Sequence, residues 1–405
     1  SGGVDSAVTA ALLVRALKPE QVYGIHIDHG MMRKNESDLI CENLAKLGLT
    51  QMQRINAEDA FFNTPLVIDG EQYAPLSETC EPEKKRAIIG HMFFVVTEEA
   101  AKKLNLDFET AFLGQGTLRP DLIESGNPDV SGYAKKIKTH HNDVGIIRAL
   151  RDKGHVIETN WDWHKDEVRQ VARMLGLDEE IASRQPFPGP GLGVRILCTD
   201  GGKTADAEKS GLLADFMATA NVPFHAALAP VQSVGVQGDH RSYRSLVILS
   251  GAGLTPDFDT LYQTAKTIPN ELNFVNRVAY LLNRREVGGT LHSVRSRICR
   301  EEADLLREAD AIGTREIMRP MADGKCHIAQ CFAVLLPVGV GDRFSIAVRA
   351  VVTNDFMTAQ SAVPGVDFPA DALANIVRRI EATGPPVDMI LYAVTGKPAA
   401  TVEWE

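Results

Sequence analysis

The chain begins Ser1-Gly2-Gly3-Val4-Asp5-Ser6. Two glycines between hydroxyl side chains let a backbone turn tightly and bring its N–H groups close to an anion. Val4, Val8, Ala11 and Leu12 then recur at helical spacing until Pro19 ends the run. Backbone donors and the positive end of a helix dipole would converge on one point, which suits a phosphate. A Gly-Gly pair by itself marks only a turn. The loop is not a Walker A motif, because the phosphate-binding lysine is missing. Asp200-Gly-Gly-Lys-Thr204 imitates the end of that motif but has Leu197 at the position of its first glycine, and it reads as a solvated linker. The Gly-x-Gly in 188–193 follows no strand, so it is a poor dinucleotide site. His140 and His141 are adjacent but lack a cysteine or carboxylate at ligand spacing, which argues against a metal. Arg119 and Lys138 fit phosphate or purine contacts, or else solvated surface charges. Lys165 is either a further phosphate contact or the exposed start of a helix.

These side chains need elements to hold them. Residues 21–28 form a short apolar run ending in Asp28. Residues 35–49 predict a helix capped by Asn35, with Leu39, Ile40, Leu44 and Leu47 on one face and Gly48 as its stop. Residues 51–56 can be the next strand, as can 110–117, a buried strand that opens into a glycine-containing loop, and 154–160. Residues 164–177 predict a helix with Val168, Val171, Ala172 and Leu175 inward. Alternating helices and strands indicate an α/β fold, a doubly wound, mostly parallel sheet whose ligands gather at the carboxyl ends of its strands. The strand expected before Ser1 is missing, so the sequence reads as trimmed from a longer chain. The Pro- and Gly-rich stretch 184–195 closes a first domain, 1–195.

Beyond it, one pattern occurs twice. A hairpin at 229–251, a helix at 257–268 and a strand at 276–283 are echoed at 334–352, 370–382 and 389–394, with a helix before each hairpin. Two small α+β units are expected, 196–290 and 291–405.

The chain has 405 residues, 44% hydrophobic and 24% charged, in the range of ordinary globular proteins. No apolar run reaches membrane-spanning length and no secretory signal is visible. Six cysteines without metal-ligand spacing read as scattered reduced thiols, so a cytoplasmic (cytosolic) protein is expected. A net charge of −10 argues against extended nucleic-acid contacts.

The Ser1–Ser6 loop, its helix and His26-Ile-Asp-His-Gly30 resemble the ATP pyrophosphatase family, which cleaves ATP to AMP and pyrophosphate while activating an acceptor. The segments SGGVDS, GQGTLRPDLIES (114–125), KTHHN, HKDEVR, PFPGPGLGVR, SVGVQGD and GKPAATVEWE occur in the order seen in the GMP synthetase family. The resemblance covers nearly the whole chain, and the duplicated C-terminal unit is similar to the longer, eukaryote-type form.

That resemblance implies an adenine nucleotide alpha hydrolase-like fold and a ligase that aminates XMP to GMP with ATP, magnesium and ammonia. It assigns Ser1, Gly2, Gly3 and Ser6 to the pyrophosphate, with Val4, Asp28 and Gly114 in the nucleotide site. Asp5 would hold magnesium or complete the phosphate cradle, and Lys165 and Lys138 would act on the phosphates. XMP contacts fall on Arg119, Asp239, Gln330, Lys397 and Glu403, with Lys397 on the nucleotide phosphate. The C-terminal half would thus complete the active site besides mediating a homodimer. The stretches 186–191 and 64–86 are candidates for closing the site. Gln185 stands where the family has a histidine. The motifs of a glutaminase domain do not occur in these residues, so free ammonium, a separate chain or a deleted N-terminal domain is expected to supply the ammonia. Alternatives are another ATP pyrophosphatase, such as an NAD synthetase or a tRNA-thiolating enzyme, and a nucleotide-binding partner without turnover.

Overall fold

Helix α1 (Val4–Ala16) starts directly on Gly3, with no side-chain cap, and ends before the short 3₁₀ turn at Pro19–Gln21. The computed structural model describes residues 2–106, 110–118, 150, 153–237, 240–324, 326–353, 358–383 and 386–405. They fall into two compact units, one of Ser1–Leu76 with Glu83–Gly191 and one of Ser77–Pro82 with Leu192–Glu405.

In the first unit, β1 (Tyr23–Asp28), α2 (Glu36–Lys46) and β2 (Gln51–Asn56) make a β-α-β unit, the strands parallel from Tyr23↔Gln51 to Asp28↔Asn56. Next come α3 (Glu58–Asn63), the antiparallel pair β3 (Leu66–Ile68) and β4 (Glu71–Tyr73), and α4 (Pro82–Lys103). The candidate closing stretch 64–86 is therefore a hairpin running into a helix. β5 (Leu113–Gln115) and β6 (Val156–Glu158) form a second parallel pair, followed by α5 (Lys165–Met174) and α6 (Glu179–Ala182). The expected α/β class and parallel pairing are present. Among the described residues they take the form of two separate pairs rather than one continuous sheet.

The core of this unit is the apolar stripe of α1. Val4, Ala7, Val8 and Ala11 pack against Val168 and Ala172 of α5 and Ile181 and Ala182 of α6. Two details of α2 differ from the sequence reading. Asn35 occupies the cap position in a left-handed conformation, but its side chain makes no cap bond. The Glu36 carboxylate instead accepts from the Arg33 backbone N–H at 2.9 Å. Leu39 is exposed, because one residue of helical rotation takes it off the buried stripe of Glu36, Ser37 and Ile40.

The second unit opens with α7 (Ala207–Ala220), β7 (His225–Gln237), β8 (His240–Ser250), α8 (Phe258–Glu271) and β9 (Val275–Leu281). After β10 (His292–Ser293) come α9 (Arg300–Ile317), β11 (Gln330–Leu336), β12 (Val338–Gly339) and β13 (Ser345–Val352). β14 (Gln360–Ser361), α10 (Ala372–Thr383) and β15 (Ile390–Ala393) complete it.

The repeat is visible in the topology. β7 and β8 pair antiparallel and β9 joins β8 parallel, while β11 and β13 pair antiparallel and β15 joins β13 parallel. The two triplets then meet edge to edge. β15 pairs antiparallel with β9, Tyr392 opposite Tyr280, giving the order β11-β13-β15-β9-β8-β7 in one seven-stranded sheet with β14 on β13. The stretches 196–290 and 291–405, read from sequence as two units, thus contribute to a single sheet. The physical reason lies in β9 and β15, whose residues are buried throughout. Neither strand could remain a solvated edge, and each covers the other's unpaired backbone groups.

Candidate functional site

In the first unit the chemistry gathers at the start of α1. Ser6 Oγ donates to the Gly3 carbonyl at 3.0 Å, closing the turn that leads into the helix. The Asp5 carbonyl accepts from Asn160 Nδ2 at 2.8 Å and from Thr9 Oγ1 at 3.1 Å, so the first turn is pinned from the far side of the unit. Lys165, the first residue of α5, places Nζ 3.8 Å from Asp5 Oδ2. Gly116 shows how close the neighbouring loop comes: a Cβ there would lie 2.7 Å from the Asp5 carbonyl carbon and 2.8 Å from the Ser6 nitrogen. That loop is fixed in turn, since Thr117 Oγ1 donates to Glu158 Oε1 at 2.6 Å. Gly114 lies two residues earlier, in β5, beside Leu13 and Thr9 of α1.

A second network ties the Pro/Gly-rich stretch to the same loop. Arg184 Nη1 donates to the Gly2 carbonyl at 2.5 Å, and its Nη2 bonds Glu36. Arg33 also bonds Glu36, at 2.9 Å, and its guanidinium lies 4.5 Å from the centre of the Phe187 ring. Burial opposes ionisation of Glu36, but the two arginines outweigh it and hold its carboxyl below the usual range. At the end of β1, Asp28 pairs with Arg54 at 2.6 Å. Burial of Asp28 is likewise outweighed by hydrogen bonds from Arg54, Ser37 and Gly30, and its pKa is lowered. His29 is buried between Phe61 and Phe93 and accepts from the Met31 N–H at 3.1 Å through Nδ1. Burial pulls its pKa down to about 4, so it is neutral at pH 7.

In the second unit the tail 396–405 crosses one face of the sheet. Lys397 forms an antiparallel bridge with Ala359, its N–H donating to the Ala359 carbonyl at 2.7 Å. Gln330 opens β11 opposite Val351 and is buried. Ala400 bridges Gly235, where a Cβ would lie 2.6 Å from the Ala399 carbonyl, so only glycine lets the tail lie this close. The Val234 N–H donates to the Trp404 carbonyl at 2.9 Å.

Two wholly buried arginines hold that tail. Arg277 donates to the carbonyls of Val234, Thr401 and Glu403 at 3.1, 3.1 and 3.0 Å, with its guanidinium 4.3 Å from the centre of the Trp404 ring. Arg195 reaches the Glu403 carboxylate with two bonds and stacks on Phe332, which shares a sheet face with Gln330. Arg349 lies beneath, its Nη1 on the Thr395 carbonyl at 2.9 Å, and burial lowers its pKa to about 10.

The structure thus brings Gly2, Gly3, Val4, Asp5, Ser6, Gly114 and Lys165 together in one unit, and Gln330, Lys397 and Glu403 onto the sheet of the other. Ser1, Arg119, Lys138 and Asp239 lie outside the described residues. Sequence reasoning missed Gly116, Asn160, Arg184, Arg195 and Arg277. For Arg277 a signal existed, since a charged residue inside the apolar strand 275–281 requires buried partners. Among the described residues no group of three or more His, Cys, Asp or Glu could hold a metal. The Asp5 carboxylate fits magnesium nonetheless, because that ion is commonly held by one or two carboxylates plus substrate phosphates. No described helix is long and apolar enough to cross a membrane.

Residues 319–404 match the family model described as GMP synthase C terminal domain. The whole chain aligns at 36% identity with 62% of the GMP synthase [glutamine-hydrolyzing] of Dictyostelium discoideum. It also aligns in full, at 38% identity, with 63% of a probable GMP synthase of Caenorhabditis elegans. The Lactobacillus acidophilus GMP synthase aligns at 38% identity with 69% of this chain and 53% of its own length. The chain therefore spans a little over three-fifths of the first two relatives.

Proposed function

We propose that this chain, which corresponds along its whole length to the synthetase part of the glutamine-hydrolysing GMP synthases, aminates XMP to GMP at the expense of ATP, as a ligase forming a carbon–nitrogen bond. The oxygen on carbon 2 of the purine attacks the α-phosphorus, and the bond to pyrophosphate breaks. Ammonia then adds at carbon 2, AMP departs with that oxygen, and a proton is lost. The observation that carries this reading is the Gly-Gly turn at the start of α1, with Lys165 Nζ 3.8 Å from Asp5 Oδ2, in a chain that aligns with GMP synthases over its full length.

Such transfers depend on positioning and on electrostatics more than on covalent help from the protein. The Ser1–Ser6 loop with Lys165 and Lys138 would hold the departing pyrophosphate, and Asp28 and Gly114 would line the nucleotide site. Asp5 would hold magnesium, which neutralises phosphate charge when bound. Arg119, Asp239, Gln330, Lys397 and Glu403 would contact XMP, with Lys397 on its phosphate and Glu403 accepting from base or ribose. The adenylated purine must be kept from water, and the Arg184–Glu36–Arg33–Phe187 network favours a covering role for 186–191. Residues 1–195 are assigned the ATP pyrophosphatase role, and 196–290 and 291–405 the roles of substrate binding and homodimer contact. Ammonia would come from glutamine through a glutaminase domain outside these residues, in the cytosol.

The test is to incubate the protein with MgATP, ammonium salt and either XMP or deamido-NAD. XMP alone should drive release of pyrophosphate with equal GMP, and glutamine in place of ammonium should give none. Release driven by deamido-NAD, or independent of any acceptor, would refute the assignment.

A further inference from the structure

We infer that Arg195 is a positioning residue for the nucleotide-contacting carboxylate of Glu403, an inference that rests on the XMP reading above. Arg195 Nη2 lies 2.8 Å from Glu403 Oε1, and its Nε lies 3.1 Å from Oε2. The arginine side chain is only 2% exposed, whereas that of Glu403 is 24% exposed. The fork therefore grips the carboxylate from a buried position, while the side chain of Glu403 keeps part of its surface open to solvent. Each carboxylate oxygen has two acceptor sites, so a bidentate arginine leaves acceptor capacity on both for N–H or O–H groups of a ligand.

The guanidinium has little freedom to drift. The Arg195 carbonyl accepts from the Leu335 N–H at 2.8 Å, which ties its backbone to β11. Its guanidinium carbon lies 4.0 Å from the ring centre of Phe332 on the same strand. The backbone of Glu403 is fixed separately, by Arg277 at 3.0 Å and Thr401 Oγ1 at 2.5 Å. Main chain and side chain of Glu403 are thus held by different groups, and among the described residues only Arg195 holds the carboxylate by a fork. A carboxylate fixed in advance loses no rotamer freedom when the nucleotide arrives. Lysine would keep the charge but not the planar two-pronged grip, so Arg195→Lys separates orientation from neutralisation.

The experiment compares wild type, Arg195→Lys, Glu403→Gln and the double variant by steady-state kinetics with ammonium. Urea unfolding is measured alongside. Arg195→Lys should raise KM for XMP about tenfold while leaving KM for ATP within twofold and the urea midpoint near wild type. The double variant should be no more than about twofold worse than Glu403→Gln, because the arginine acts through that carboxylate. Arg195→Met strands the carboxylate beside an apolar side chain, so its loss of folding would not decide the matter; the lysine variant does. An unchanged KM for XMP in Arg195→Lys, with Glu403→Gln impaired, overturns the inference. So do penalties that multiply in the double variant. An unchanged KM for XMP in Glu403→Gln overturns the underlying assignment of Glu403 instead, and the inference with it.

Discussion

Replacing Gly116 by alanine adds one methyl group against the backbone of the first turn of α1. That methyl would meet the Asp5 carbonyl carbon at 2.7 Å, the Ser6 nitrogen at 2.8 Å and the Asp5 oxygen at 2.9 Å. Ordinary contact begins at 3.4 Å, so loop and helix start must part by roughly 0.7 Å. The loop cannot easily give way, because β5 is paired to β6 and Thr117 is bonded to Glu158. Its φ is not in the left-handed region, so the effect is steric and not conformational. Overpacking of this kind costs about 1–3 kcal/mol. At the turn proposed to hold the phosphates, a displacement of that size should slow turnover roughly tenfold or more, since about 1 Å of misplacement costs on the order of a hundredfold. The assay is XMP-dependent pyrophosphate release with ammonium, run beside urea unfolding. Gly211→Ala is the control: it lies in α7 with nothing within 4 Å of the added carbon. There alanine should leave turnover unchanged and stabilise by up to about 1 kcal/mol. Wild-type turnover and stability in Gly116→Ala would refute the claim that this contact sets the position of the loop.

Further predictions concern charge and pH. Asp5→Asn and Lys165→Met should each lower kcat about a hundredfold with far-UV circular dichroism unchanged, as expected for groups facing a departing anion; wild-type turnover in either would remove that residue from the site. Lys397→Met should raise KM for XMP at least tenfold and leave KM for ATP unaltered, which initial-rate kinetics would check. His29 titrates near 6.5 when unfolded and near 4 when folded, so its contribution is fully present above pH 6.5 and is lost as pH falls toward 4. At pH 5 that loss is about 2 kcal/mol, and His29→Leu should flatten the dependence in urea titrations at pH 7.5 and 5.

Much of the scaffold was legible in the sequence because its signals are local. The helix after Gly3, the strand 51–56 and the left-handed glycines Gly48 and Gly176 at helix ends follow from periodicity and glycine chemistry. The duplicated hairpin–helix–strand order was readable for the same reason. What joins the two copies was not, since the pairing of Tyr280 with Tyr392 links residues far apart in the chain and carries no local signature. The candidate phosphate loop could be found from Gly2 and Gly3, but its supports could not. Asn160 and Gly116 act on Asp5 across more than 100 residues, through one side-chain bond and one close backbone approach. Glu403 was visible in the terminal motif, whereas the arginine that grips it sits 208 residues earlier.

The central claim is that this chain activates XMP by transferring adenylate to the oxygen on carbon 2. XMP carrying ¹⁸O at that position, incubated with MgATP, ammonium and the protein, tests it directly by mass spectrometry of the AMP formed. One ¹⁸O in the phosphate of every AMP is the predicted result. Unlabelled AMP alongside GMP would contradict it.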